Sequence, residues 1–308
     1  MSNLREGVVT KATGSWFEVE SSGEIIPCRL RGKLRLKGTR STSPVVVGDV
    51  VSFAQDSEGS YTIEEVTPRR NYIIRRASNL SKESHIIAAN IDRAIVVVTL
   101  KNPKTPPEFI DRFLVTCEAY KIPATIVLQK IDLMQDDMQS VELFESIYRT
   151  AGYQTIRTST LTGEGLDRVK ELLQGATTLI SGNSGVGKST LIGSIEPTLD
   201  IKIGEISQSH NKGRHTTTFS TMYPLTMGGY IIDTPGIKGF GLLDIAPEEL
   251  WHYFPEMMHY GKECQFYNCT HIHEPRCAVR EAIEQREISI ERYESYLKIL
   301  SDDDKYRK

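Results

Sequence analysis

The sequence predicts a multidomain α/β protein with three parts: an N-terminal β-barrel, a doubly wound α/β domain and a small C-terminal helical domain. Three observations lead to this prediction. Short alternating runs separated by turn residues fill the first 72 residues, strand and helix patterns alternate from about residue 90, and three cysteines lie within fourteen residues near the C-terminus. We place the domains at residues 1–72, 73–243 and 244–308.

The first domain has the pattern of a small all-β fold. Runs rich in valine, aromatic residues and threonine recur between Gly, Ser, Asp and Pro, at residues 7–9, 16–19, 45–47, 50–53 and 61–63. Short strands at this turn-marked spacing predict a barrel of the oligonucleotide-binding (OB) type.

Positive charge is concentrated within this barrel. Residues 29–40 contain six Lys or Arg and no acid, and residues 1–76 carry a net charge of +3 in a chain whose total is −3. An extended segment would place alternate side chains on one face, namely Arg29, Arg31, Lys33, Arg35 and Lys37. Such a stripe is typical of an RNA-binding groove, and equally of a solvated strand face. Residues 67–76 are predicted to be a basic linker that leaves the barrel.

The second domain alternates buried strands with amphipathic helices. The predicted strands are 94–100, 124–128, 153–157, 176–180 and 230–233, and the predicted helices are 107–120, 138–150 and 166–173. This alternation is typical of a doubly wound α/β domain.

A glycine-rich loop follows the strand at 176–180. It consists of Gly182, Asn183, Ser184, Gly185, Val186, Gly187, Lys188 and Ser189, and Thr190 continues into a helix. In such loops backbone N–H groups cradle a polyphosphate, the lysine reaches the outer phosphates, and the serine hydroxyl ligates Mg²⁺. The motif predicts a nucleotide site, and its alternative is a chance match in a glycine-rich surface loop.

Two later motifs complete the predicted phosphate site. Asp233 ends an apolar strand before Thr-Pro-Gly, so it is placed to hold the Mg²⁺ shell, while the Gly236 N–H meets a γ-phosphate. The loop 204–218 contains Gly-Arg-His-Thr-Thr-Thr, in which one threonine hydroxyl closes on Mg²⁺. The sequence leaves the choice among the three threonines open, and we take Thr217 as the candidate.

The base-reading elements precede the phosphate loop. Gln129, Lys130, Ile131 and Asp132 end a buried strand as the N-K-x-D element of GTPases does, and Asp132 is predicted to accept from the guanine N1 and N2 hydrogens. Residues 158–165, which include Ser159, resemble the S-A-x-T-G-x-G loop that supports the base. The usual order of G-domain motifs is therefore rotated, which predicts a circular permutation.

The C-terminal domain carries a candidate metal site. Cys264, Cys269, His271 and Cys277 supply three thiolates and one imidazole, a set suited to a structural tetrahedral Zn²⁺. Ligation by His273 in place of His271, or thiols that are merely buried, remain alternatives. Helices are predicted at 251–258 and 278–300, with a frayed end at 302–308.

Four motifs occur in this rotated order: G-N-S-G-V-G-K-S, G-R-H-T-T-T, D-T-P-G and Cys₃His. In order and spacing they closely resemble the ribosome small subunit-dependent GTPase A (RsgA) family, and the resemblance covers nearly the whole chain. The resemblance implies Mg²⁺-dependent hydrolysis of GTP to GDP, stimulation by the small (30S) ribosomal subunit, rRNA contacts of the barrel and zinc domain, and a role in late subunit maturation. It favours His271 as the zinc ligand. Gln129 departs from the family pattern, which has Asn or Thr there.

The resemblance also implies an unusual hydrolytic site. Ile237 follows Asp-Thr-Pro-Gly where Ras-like proteins carry the glutamine that orients the attacking water, so slow intrinsic turnover is expected. The family suggests His215 for this role, acting with Lys188 in catalysis. An exposed loop histidine or a contact to RNA phosphate is the alternative for His215.

Composition limits the remaining possibilities. The net charge of −3 argues against a uniformly basic nucleic-acid coat, and no run approaches the roughly 18 apolar residues of a membrane span. We expect a cytoplasmic monomer without membrane partners. Two rival functions stay open: an RNA-binding module in which hydrolysis is incidental, and a small-molecule kinase, which the base-reading motifs disfavour.

Overall fold

The structure is a computed structural model that describes residues 4–30, 44–76, 84–199, 220–233 and 245–306. Its strands are β1 Arg5–Ala12, β2 Trp16–Ser21, β3 Glu24–Leu30, β4 Val50–Gln55, β5 Tyr61–Val66, β6 Tyr72–Arg76, β7 Ser84–Ala89, β8 Arg93–Val98, β9 Ala124–Gln129, β10 Gln154–Thr158, β11 Thr177–Ser181, β12 Thr221–Pro224 and β13 Tyr230–Asp233. Its helices are α1 Pro107–Ala119, α2 Met138–Thr150, α3 Leu166–Leu173, α4 Lys188–Ile195, α5 Pro255–Gly261, α6 Ala278–Glu284 and α7 Ile290–Tyr306, with 3₁₀ helices at Ile131–Asp137 and Pro247–Tyr253. Within these ranges, every helix is too short or too polar to cross a bilayer.

The chain divides into two compact units, each assembled from separate segments. The first comprises Met1–Arg93, Glu171–Ser181 and Glu196–Lys238. The second comprises Ala94–Lys170, Gly182–Ile195 and Gly239–Lys308.

The first unit contains a closed five-stranded barrel, as predicted. Its strands follow the order β1-β2-β3-β5-β4, and β4 closes the ring by pairing with β1. Every neighbour is antiparallel except the parallel pair β3 and β5. The interior is filled by alternate apolar side chains of the strands, among them Val9, Val19, Phe53 and Ile63, all fully buried.

Two predictions for the barrel region are wrong. The valines at 45–47 are buried but form a turn, because the carboxylate of fully buried Asp49 accepts from the Val46 N–H at 2.8 Å and ion-pairs with Arg69. The predicted linker contains strand β6, which pairs with β7 and buries Ile73 and Ile74. Of the predicted basic stripe only Arg29 is described, because residues 31–43 lie outside the described residues.

The first unit also contains the strand that precedes the phosphate loop. Strand β11 lies parallel to β13, β13 is antiparallel to β12, and β12 continues antiparallel to β1 of the barrel. The last residue of β13, Asp233, has Ile180 of β11 as its Cα partner.

The second unit contains three parallel strands in the order β10-β9-β8, with helices between them in sequence. Strands β8 and β9 are almost completely buried, which explains their continuous Ala, Ile, Val and Leu sequences. Helix α1 begins with Pro107 in its first turn, and the Asp137 side chain caps α2 by accepting from the Ser140 N–H at 3.3 Å. The predicted alternation is thus confirmed in these elements.

The C-terminal helices are shorter than predicted. The helix expected at 251–258 is interrupted at Phe254, which is extended because a proline follows it. The helix expected at 278–300 is split after Gln285. There Arg286 adopts a left-handed φ of 62°, and the Glu287 N–H donates to the Ala282 carbonyl at 2.9 Å in a Schellman-type cap.

Candidate functional site

The phosphate loop has the backbone that its glycines permit. Gly182 directly follows β11 in sequence, and α4 begins at Lys188. Gly182 and Gly187 have backbone φ values of 152° and 93°, which residues other than glycine rarely adopt. A Cβ on Gly182 would also lie 2.4 Å from the Val97 carbonyl oxygen. The loop therefore keeps open the backbone cradle that a polyphosphate needs.

The Lys188 side chain lies against the loop itself. Its Nζ donates to the carbonyl oxygens of Gly182 at 2.5 Å and Asn183 at 3.1 Å. Ser189 is the second residue of α4 and is half-buried. Among its neighbours in the motif, Ser184, Gly185 and Thr190 are exposed and Val186 is buried. This placement suits a lysine that contacts phosphates and a hydroxyl that ligates Mg²⁺.

Lys130 ties the phosphate loop to the base-reading element. Its left-handed backbone, with φ of 63°, turns the chain from β9 into the 3₁₀ helix. Its Nζ donates to the carbonyl oxygens of Gly185 at 2.7 Å and Asn102 at 2.6 Å. Pro103 lies beside the same loop, 3.5 Å from the position of a Cβ on Gly185. This support was not predicted from the sequence, although Asn-Pro is a turn signal.

The predicted guanine-reading residues meet at the ends of neighbouring strands. The Ser159 Oγ donates to Asp132 Oδ1 at 2.5 Å and accepts from the N–H groups of Leu161 and Thr162 at 3.2 Å. Ser159 is fully buried and Asp132 is half-buried, so this hydrogen bond is partly shielded from water. Ile131 is buried beneath the element, and Gln129 is buried beside Thr158.

The structure thus brings Gln129–Asp132, Ser159 and the loop 182–190 into one unit. Asp233 ends β13 in the other unit. His215, Thr217 and Gly236 lie outside the described residues.

The four predicted metal ligands form a cluster. Their ligand atoms, in Cys264, Cys269, His271 and Cys277, all lie within 4.8 Å of one another. His271 directs Nδ1 towards the cluster, 3.5 Å from the Cys264 Sγ and 3.3 Å from the Cys277 Sγ. His273 is exposed and does not belong to the cluster.

The protonation chemistry of this cluster fits a bound cation. Burial lowers the pKa of His271 to about 4, so its imidazole is neutral and can offer a lone pair. Burial raises the pKa of Cys269 to about 12, so the thiol ionises at neutral pH only when a cation stabilises the thiolate. A compact Cys₃His set with these properties is compatible with a structural Zn²⁺.

Neighbouring residues that the sequence analysis missed fix the metal loop. The Glu274 carboxylate accepts from the Thr270 N–H at 2.8 Å, the Ile272 N–H at 3.0 Å and the Thr270 hydroxyl at 2.5 Å. Burial alone would raise the pKa of Glu274, but the hydrogen bonds from the Thr270 hydroxyl and from the backbone N–H groups of Thr270, His273 and Glu274 itself lower it to about 2. From α7, the Tyr293 hydroxyl donates to the His271 carbonyl at 2.7 Å. Such contacts show in sequence only as polar residues near the ligands.

Comparison with known proteins places both halves of this architecture in one family. The family model of the RsgA N-terminal domain matches residues 6–63, and that of the RsgA GTPase matches residues 66–243. Proteins named small ribosomal subunit biogenesis GTPase RsgA, from Bacteroides fragilis (strain YCH46) and Phocaeicola vulgatus, are 51% and 52% identical over 306 residues. Each alignment covers 98% of this chain and 99% of the relative.

Solved structures agree over the same length. The crystal structure of YjeQ from Thermotoga maritima has a TM-score of 0.78 and 38% identity, covering 97% of this chain and 98% of that one. The crystal structure of YloQ, described as a circularly permuted GTPase, has a TM-score of 0.74 and 30% identity, covering 99% and 96%. Because the GTPase model spans more than half of the chain and the relatives match it almost from end to end, this chain belongs to the RsgA family of circularly permuted GTPases.

Proposed function

We propose that this chain hydrolyses GTP to GDP and phosphate during maturation of the small ribosomal subunit, that the subunit stimulates hydrolysis, and that hydrolysis drives release. The observation that carries the proposal is the placement of Asp132, Ser159 and the loop 182–190 in one unit, joined by Lys130. The relatives named above are described as small ribosomal subunit biogenesis GTPases, which agrees with it.

The roles within the site follow from the chemistry of each group. Asp132 discriminates guanine by accepting hydrogen bonds, and Lys188 neutralises charge that develops on the phosphates. We assign Mg²⁺ to Ser189, Asp233 and Thr217, and the orientation of the attacking water to His215. When bound by these residues, Mg²⁺ would offset the negative charge of the outer phosphates.

Two exposed aromatic sites support rRNA contacts. In the barrel, Trp16 is 44% exposed, and the Arg29 Cζ lies 4.0 Å from its ring centroid, which makes a cationic stacking platform. In the metal loop, Tyr267 is 98% exposed beside Phe266, at 41%. Unpaired bases stack on such rings without regard to sequence. We therefore assign rRNA binding to the domains 1–72 and 244–308. We assign GTP hydrolysis to the domain 73–243, and we propose that the protein is a cytoplasmic monomer.

Phosphate release tests the enzymatic proposal. We expect slow release from GTP, none from ATP, and a large increase with GTP when purified small subunits are added. Equal use of ATP would contradict the guanine site, and a lack of stimulation would contradict the ribosomal role.

Subunit binding tests the RNA contacts separately. The Trp16→Ala and Tyr267→Ala variants should bind small subunits more weakly while their turnover without subunits is unchanged. Ile25→Ala, which removes a 51% exposed side chain from the same barrel, is the control for Trp16. If Trp16→Ala and Ile25→Ala bound subunits equally well, the barrel platform would be wrong.

A further inference from the structure

The side chain of Gln129 stands at the first position of the base-reading element, where the N-K-x-D pattern of GTPases has the shorter asparagine. It ends β9, its Cα partner in the neighbouring strand is Thr158, and it is only 2% exposed. A buried amide needs partners for its donor and acceptor groups. The identity of those partners shows what the longer side chain does.

Both ends of the amide bind threonines of the base-supporting loop. Gln129 Oε1 accepts from the Thr158 hydroxyl at 2.6 Å, and Nε2 donates to the Thr160 hydroxyl at 3.4 Å. These threonines flank Ser159, which donates to Asp132 at 2.5 Å. The glutamine therefore holds both neighbours of the residue that orients the guanine-reading carboxylate.

The same side chain packs against the phosphate loop. A Cβ on Gly187 would lie 3.4 Å from Gln129 Cγ and 3.5 Å from Gln129 Nε2. Asparagine is shorter by one methylene, about 1.5 Å along the chain, so it cannot fill this space and still reach Thr158 and Thr160.

We propose that Gln129 is a positioning residue that sets guanine specificity by fixing Ser159 and Asp132 relative to the phosphate loop. This inference rests on the proposed function of Asp132. It follows that asparagine, although typical of GTPases at this position, is the wrong length for this chain and weakens guanine recognition.

Binding of GDP and of inosine diphosphate to the Gln129→Asn variant tests the inference. Inosine lacks the 2-amino group from which Asp132 would accept, so its diphosphate reports binding that lacks this contact. We expect the Kd for GDP to rise about tenfold, because one buried hydrogen bond and one packed methylene are lost. The Kd for inosine diphosphate should rise less. The preference for GDP therefore falls. Thr158→Val should lower the same preference, and the double variant should add little.

Gln154→Asn is the matched control, because Gln154 is an exposed glutamine at the other end of β10. Its GDP preference should equal that of the wild type. Unchanged or tighter GDP binding by Gln129→Asn, or an equal loss for both nucleotides, would overturn the inference, since equal losses indicate packing alone.

Two further measurements keep the outcomes distinct. If the wild type did not prefer GDP to ADP, the proposed function would fail independently of Gln129. If Gln129→Asn unfolded, Thr160→Ala would take its place, because it removes only the 3.4 Å hydrogen bond. A fall in the preference of Thr160→Ala for GDP over inosine diphosphate, smaller than the fall expected for Gln129→Asn, supports the inference. An unchanged preference overturns it.

Discussion

Replacing Arg292 by methionine should cost about 3–5 kcal/mol of unfolding free energy, the usual penalty for removing one partner of a buried ion pair. Arg292, on α7, is 1% exposed. Its Nε and Nη2 donate to the Glu256 carboxylate at 2.6 and 3.2 Å, and its Nη1 donates to Asp111 of α1. Methionine retains much of the apolar stem but leaves two buried carboxylates without a cation.

This penalty should depend on pH in a defined direction. Burial raises the pKa of Asp111, and the Arg292 guanidinium opposes that rise. Without the arginine, its opposing effect on the pKa is lost, and the folded-state pKa of Asp111 lies higher still. Protonation then stabilises the folded variant, so its penalty shrinks as the pH falls through that raised pKa, and grows as the pH rises above it.

Urea unfolding followed by Trp251 fluorescence measures the effect. Trp251 is 8% exposed and belongs to the same apolar cluster as α7, and the other tryptophan, Trp16, is replaced by phenylalanine throughout. The Arg292→Met variant that also carries Asp111→Asn and Glu256→Gln should regain most of the loss, since no buried charge remains. Arg168→Met, at an exposed arginine of α3, should change stability by less than about 0.5 kcal/mol. A loss below about 1 kcal/mol, or a pH-independent one, would refute the reasoning.

Three other outcomes are expected. Lys188→Ala should abolish GTP turnover while the Trp251 unfolding transition stays in place, and unchanged turnover would contradict the assignment of the phosphate loop. Native mass spectrometry should find one zinc ion per chain. The His271→Ala variant should lose this ion, and His273→Ala, at an exposed histidine nearby, should retain it. Retention by both variants would exclude His271 as a ligand. Asp49→Asn should destabilise the barrel by about 3 kcal/mol, because it weakens the buried bidentate pair with Arg69 at 2.7 and 2.8 Å. Variants that keep Trp16 are used for this measurement, in which Trp16 fluorescence monitors the loss, and Glu58→Gln, at an exposed glutamate, should show none.

Local signals in the sequence predicted most helix limits. Helices α2 and α3 have the predicted bounds, because each combines an amphipathic pattern with clear boundaries. The prediction at 278–300 failed because the helical period continues through Arg286, whose left-handed backbone ends α6. Glycine is the usual residue there, so an arginine gave no stop signal.

The candidate site shows the same division between local and non-local information. Spacing within 264–277 predicted which side chains cluster, since that motif acts over a few residues. Lys130 donates a hydrogen bond to the carbonyl oxygen of Asn102, 28 positions away in the sequence. Because every residue has a backbone carbonyl, the sequence does not indicate which one accepts. Tertiary supports of this kind need coordinates.

Helix α1 gives the metal loop and the phosphate loop a common support. Before the helix begins, Asn102 accepts from Lys130, which also binds the phosphate loop. From its first half, Asp111 accepts from Arg292 on α7, and the next residue of α7, Tyr293, donates to the metal-loop backbone. Because these hydrogen bonds link the elements directly, we expect a partner that displaces the metal loop to act on α1 as well.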